Sequence, residues 1–228
     1  MAARRTPFSG GSGILPAGLL RPRQVFWLGL GAFLLAIPIG VYFLIVIVQG
    51  WRLLPLLVVA AICILLYTPF ILKLRWPEWA AGLGLGTLPI LGTYFVQTTT
   101  YLPALIASIP SGILVHNLLL LNEFPDVEAD KIADKKTLPI ILGKKPAGIV
   151  YSVFTILVYL WIAGIAVMEQ EPVLLIAWLT LPFAIKAIQG SLNPDDMSKL
   201  IPAMANNVLV VLLTQLLLGI GYILARVF

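Results

Sequence analysis

The chain has 228 residues, of which 60% are hydrophobic and only 11% charged, with a formal charge of +5. A water-exposed globule of this size draws about a quarter of its residues from the charged types. The polar surface is too small for one, so a soluble enzyme is excluded and lipid is the solvent. The positive balance fits an excess of Lys and Arg beside membrane spans, and nucleic acid is not expected as a partner. The single cysteine, Cys63, can form no disulfide within the chain.

The first 23 residues are polar, rich in Gly and Pro, and carry four arginines. They are read as a cytoplasmic loop (1–23), followed by a transmembrane helical domain (24–228). Within the loop, Phe8-Ser-Gly-Gly-Ser-Gly13 lacks the Lys-Ser/Thr that completes a phosphate loop, so a flexible segment is expected there. No cleavable signal peptide is apparent, because the apolar sequence that follows is far longer than such a peptide's core.

About 20 apolar residues cross a bilayer core. Seven stretches qualify, at 24–48, 53–72, 82–97, 102–121, 147–167, 172–190 and 201–226. The third is the weakest: it is short, carries Gly82, Gly84, Gly86 and Gly92, and is interrupted by Pro89. Its glycines suit close helix approach or a locally unwound segment.

An all-α, multi-pass bundle of about seven spans follows. With the N-terminus in the cytoplasm, 13 of the 15 basic residues fall on the inner side, leaving only Arg52 and Arg226 outside. A wrong span count would scramble that alternation. The expected location is the cell (plasma or inner) membrane. Eight of the ten acidic residues also fall inside, and five of them crowd into residues 123–134.

That cluster reads Asn122-Glu-Phe-Pro125-Asp126-Val-Glu-Ala-Asp130-Lys-Ile-Ala-Asp134-Lys135-Lys136-Thr137-Leu-Pro139. On one continuous helix Asp126, Asp130 and Asp134 share a face. Like charges at that spacing repel unless something neutralises them. A hard divalent cation prefers such oxygen ligands, and magnesium completes its shell with water and substrate phosphates. The plain alternative is a solvated helix of mixed charge.

The same stretch resembles the second aspartate-rich motif of the UbiA superfamily of intramembrane prenyltransferases, through Leu142-Gly143. The stretch from Tyr67-Thr-Pro-Phe-Ile-Leu-Lys73-Leu-Arg75 through Glu78 to Gly92 resembles the basic loop and glycine-bearing helix of that family. Its spacing between Tyr67 and Lys73 is wider than the family's. The start, Arg5-Thr-Pro-Phe to Gly18-Leu-Leu, is similar to a loop of the menaquinone-type, dihydroxynaphthoate-prenylating branch. By this likeness the chain lacks two of the family's nine helices and its first aspartate motif. A start assigned too far downstream is the expected reason.

The resemblance implies a magnesium-dependent membrane enzyme that moves a polyprenyl group from its diphosphate to an aromatic, quinone-precursor acceptor. A non-catalytic homologue or subunit that binds the diphosphate without turnover is the alternative. Asp126, Asp130 and Lys73 are the implied catalytic residues, and Lys73, Arg75, Lys135 and Lys136 would hold the diphosphate. Asp126, Asp130, Asp134 and Asn122 would bind the metal. Two rivals are set aside. A CDP-alcohol phosphotransferase needs an Asp-Gly opening that is missing here, and a secondary transporter needs an internal repeat.

The remaining polar residues have structural readings. His116, the single histidine, is expected to be a hydrogen-bonded bundle residue. Asn206, Asn207 and Gln215 are expected to face the interior, and Trp51, Trp76 and Trp79 to anchor the membrane interface.

Overall fold

The computed structural model describes residues 6–8 and 10–227. Arg4 and Arg5 of the charge pattern, and Ser9 of the glycine-rich run, lie outside the described residues. The chain is a bundle of helices, which we number α1 Pro22–Val46, α2 Gly50–Leu65, α3 Glu78–Thr98, α4 Leu102–Asn122, α5 Val127–Ile132, α6 Leu138–Ile141, α7 Lys144–Met168, α8 Pro172–Ser191 and α9 Met197–Val227. Six of these, all but α2, α5 and α6, are long and apolar enough to cross a membrane.

The expected second span, 53–72, is realised as the shorter α2. Its start is a single 3₁₀ turn, Gly50–Leu53, and its regular part stops at Leu65. Pro69 explains the early stop, since a proline disfavours helical backbone in the residue before it, here Thr68. The chain then runs through a loop with one 3₁₀ turn, Ile71–Lys73, before α3 begins after Pro77.

The third span is longer than the sequence suggests. α3 is continuous because residues Gly82–Thr87 widen into a π-helical segment just before Pro89, whose nitrogen has no hydrogen to donate to the preceding turn. Its glycines serve close approach to α4. A Cβ on Gly82 would stand 2.5 Å from the Gly112 carbonyl oxygen, and one on Gly86 2.7 Å from the Gly112 Cα. Both are closer than real contacts allow, so the α3–α4 crossing needs glycine at these two positions.

Helices α4, α7, α8 and α9 enclose the main core, with Leu114, Val158, Ile162, Leu174 and Val210 among its buried members. A second buried cluster, including Leu121, Phe124, Tyr151, Leu200 and Met204, lies beneath the aspartate-rich segment. Helix α1 has no buried residue and presents apolar side chains along its length, as a lipid-facing helix does.

Away from the aspartate-rich end, several polar groups inside the bundle are paired, as an interior without water requires. Asn117 Nδ2 donates to the Tyr151 carbonyl and to Thr155 Oγ1, both at 3.0 Å, and the Tyr151 hydroxyl donates to Asn207 Oδ1. Ser111 donates to Gln215 Oε1. The interior reading of Asn207 and Gln215 therefore holds. Asn206 differs: it is half-buried and bonds only its own helix, at the Pro202 carbonyl. His116 accepts a 2.7 Å bond from the Trp76 indole at Nε2, which leaves Nδ1 to donate to Asn117 Oδ1. Both ring nitrogens are thus engaged, and Trp76 is fastened inward rather than acting only as an interfacial anchor.

Candidate functional site

The aspartate-rich segment is not one helix. Helix α4 ends at Asn122, and Glu123 to Asp126 make tight turns around Pro125. Asp126 then occupies the N-cap position of the short α5, without a capping hydrogen bond from its side chain. Carboxylates suit this helix start, where unpaired backbone N–H groups concentrate. Past Ala133 the chain reverses at Asp134, which adopts a left-handed φ of 55°. Aspartate tolerates that conformation better than most residues.

The reversal corrects the expectation of three aspartates on one face. Asp126 and Asp130 stay together, while Asp134 turns outward and is exposed. It also folds Lys135 back, so that its Nζ meets Asp130 Oδ1 at 2.6 Å and its backbone nitrogen donates to the Asp130 carbonyl. Among the described residues, no three His, Cys, Asp or Glu side chains gather closely enough to hold a metal ion.

Asn122, Asp126, Asp130 and Lys135 line a polar cavity of about 280 Å³. Phe8, Gly10 and Gly11 cover it from the N-terminal loop, where the Gly10 nitrogen donates to Asp126 Oδ2 at 3.1 Å. Phe8 packs against the buried cluster beneath. The loop expected to be free is therefore docked on the aspartates.

A second cavity, about 540 Å³ and predominantly apolar, lies between α2, α3 and α4. Tyr67, Leu119 and Asn122 line both cavities and mark their common border. Burial, with Glu123 nearby, pushes the Tyr67 phenol upward, so it stays neutral.

The other basic residues stand outside. Lys73, Arg75 and Lys136 are exposed and line neither cavity. They are nevertheless drawn to one side of the site, because the Lys136 nitrogen donates to the Leu72 carbonyl at 2.9 Å and ties the two loops together.

Two further carboxyl groups were not candidates from the sequence: Glu123, which also lines the polar cavity, and Glu78. Glu78, at the start of α3, is completely buried, and its Oε1 accepts a 2.6 Å bond from the Leu138 nitrogen. Glu123 is also buried; burial first, then the neighbouring Glu78, pushes its carboxyl up to about 11. The two carboxyls are neighbours, and Glu78 Oε2 and Glu123 Oε2 are both buried without a hydrogen-bond partner. The only trace of this in the sequence is an acidic residue just after Pro77, ahead of an apolar helix.

An oxygen-only donor set suits a hard divalent cation. Asn122 Oδ1 is buried at the edge of the cavity with no hydrogen-bond partner, beside the carboxylates of Asp126 and Asp130. Two carboxylates and an amide oxygen fit an ion that keeps the rest of its shell for water and phosphate.

Residues 12–224 match the UbiA prenyltransferase family. The chain is also 28% identical over 211 residues to the 1,4-dihydroxy-2-naphthoate octaprenyltransferase of Bacillus subtilis (strain 168), a match covering 90% of this chain and 67% of that protein. No solved structure matches it significantly. With nearly its whole length inside the match, and with a helical bundle carrying paired aspartates at one end, the chain belongs to the UbiA prenyltransferase family.

Proposed function

We propose that this protein transfers a polyprenyl group from its diphosphate to an aromatic quinone-precursor acceptor, with magnesium, at the cytoplasmic face of the cell membrane. The observation that carries the reading is the adjacency of the two cavities. One is small, polar and lined by two aspartates and a lysine; the other is larger and apolar. An allylic diphosphate has the same two parts, a charged head and a long apolar tail.

In this arrangement the diphosphate occupies the polar cavity and the scissile C–O bond lies near the border marked by Tyr67 and Asn122. Breaking that bond leaves an allylic cation and a diphosphate, so the barrier falls when the departing charge is stabilised by groups already in place. Lys135 is the cation inside the cavity. Lys73, Arg75 and Lys136 add positive charge at its rim. Asn122, Asp126 and Asp130 would hold magnesium, which when bound supplies Lewis acidity toward the phosphate oxygens. The Gly10 loop and Phe8 cover the site and limit access of water, which would otherwise capture the cation. The acceptor's ring carbon then forms the new C–C bond and gives up its proton.

The acceptor class rests on the name of the Bacillus relative and on the likeness of residues 5–20 to the dihydroxynaphthoate branch. Orientation rests on the basic residues, 13 of 15 of which fall on one side when seven spans are counted with the N-terminus inside.

The test is prenyl transfer in liposomes with labelled prenyl diphosphate and a panel of aromatic acceptors. Asp126→Ala and Asp130→Ala are expected to lower the rate by about 100-fold or more. A chelator should abolish transfer and added magnesium should restore it. Full activity in both variants would remove these residues from the site.

A further inference from the structure

Glu78 lies behind the site, yet it reaches both ends of the aspartate-rich segment. Burying a carboxyl group completely is costly unless it is hydrogen-bonded. Here Oε1 accepts from the Leu138 nitrogen at 2.6 Å, while Oε2 is buried without a hydrogen-bond partner and has the Glu123 carboxyl as its neighbour. Leu138 lies just after the segment and Glu123 just before Asp126, so a single side chain joins its entry to its exit. The partners are 60 and 45 residues away in sequence, the latter being the difference between 123 and 78.

The segment between Lys135 and Leu138 is held at three backbone points. The Lys135 nitrogen is bonded to the Asp130 carbonyl, the Lys136 nitrogen to the Leu72 carbonyl, and the Leu138 nitrogen to Glu78. The first comes from the short α5 and the second from the loop before α3. The third comes from the first turn of α3, which is seated on α4 by Gly82 and Gly86 and flanked by the Trp76–His116 bond. Glu78 is therefore the segment's link to a rigid helix pair, and Lys135 lies three residues from that link.

We propose that Glu78 is a positioning residue: by accepting from the Leu138 nitrogen and meeting Glu123, it sets Lys135 against the cavity that takes the substrate diphosphate. The role rests on the function proposed above. It requires reach and an acceptor oxygen and does not require a negative charge. Glutamine has the same length, keeps an oxygen for Leu138 and offers an N–H₂ to Glu123. Aspartate keeps the charge but falls short of Leu138 by one methylene.

The experiment uses the full chain in nanodiscs, a fluorescent non-hydrolysable prenyl thiodiphosphate as probe, and Glu78→Gln, Glu78→Asp and Glu78→Ala. Dissociation constants and melting temperatures are measured on each. Glu78→Gln is expected to bind within about threefold of wild type. Glu78→Asp and Glu78→Ala are expected to bind about tenfold or more weakly, at a temperature where they remain folded.

If Glu78→Ala does not accumulate, the Gln and Asp variants alone decide. Wild-type binding by Glu78→Asp with loss in Glu78→Gln would show a charge role and overturn the proposal. So would equal losses in those two variants, or altered melting with unchanged affinity in all of them. A wild-type chain that binds no probe would refute the proposed function itself, whereas a binding wild type without the Gln/Asp contrast refutes only the role of Glu78.

Discussion

Lys135 and Lys136 are consecutive, but only Lys135 lines the polar cavity, where it pairs with Asp130 at 2.6 Å. Lys135→Met is expected to raise KM for prenyl diphosphate about tenfold or more, and Lys136→Met by less than about threefold; steady-state kinetics in liposomes would show the difference. Equal effects would mean that rim charge, not position, governs binding. Glu123 gives a pH prediction. Its carboxyl is raised from 4.5 to about 11, so between those values the folded protein keeps a proton that the unfolded chain has lost. Stability is therefore fully present below 4.5 and falls as pH rises toward 11. Melting in detergent between pH 6 and 9 should fall with pH for wild type and show a shallower slope for Glu123→Gln. Parallel slopes would contradict the assignment.

Between elements, the α3–α4 crossing leaves little room for change. Gly86→Ala places a Cβ within 2.7 Å of the backbone of Ser111 and Gly112. Overpacking of this kind costs about 1–3 kcal/mol. Gly92→Ala, on the same helix with open space around its Cβ position, is the control and should be neutral or slightly stabilising. Thermal unfolding of the two variants in one detergent tests the contrast. A neutral Gly86→Ala would mean that the helices can separate without cost. The same crossing sets the depth of Glu78 and the width of the apolar cavity, so the Gly86 variant is also expected to bind prenyl diphosphate more weakly.

At the scale of the whole molecule, the apolar cavity between α2, α3 and α4 borders the polar one, with Tyr67, Leu119 and Asn122 lining both. If the cavity takes the isoprenoid tail, filling it should discriminate by chain length. Ala81→Trp, on its wall, is expected to reduce kcat/KM for a long prenyl diphosphate severalfold more than for a short one. Competition between labelled substrates of two lengths measures the ratio directly. An unchanged ratio would place the tail elsewhere.

Much of this architecture follows from local rules that a sequence carries. Apolar runs of bilayer length fix the helices, the Lys and Arg pattern orders them, and a dense group of carboxylates marks one end as the chemical one. Asp126 and Asp130 were legible for that reason, and Asn122 and Lys135 through the resemblance to the aspartate-rich motif. The remainder depended on contacts between distant residues. Asp134 leaves the shared face because a left-handed turn folds Lys135 onto Asp130, and three evenly spaced aspartates do not announce such a turn. Gly10 reaches Asp126 across 116 residues, and Glu78 reaches Leu138 across 60. Neither pairing leaves a periodic signal, because each arises only when packed helices bring an unpaired donor to a buried acceptor. Spacing and composition thus determined that the carboxylates gather at one end of the bundle, and tertiary packing decided which of them share a cavity and what holds them there.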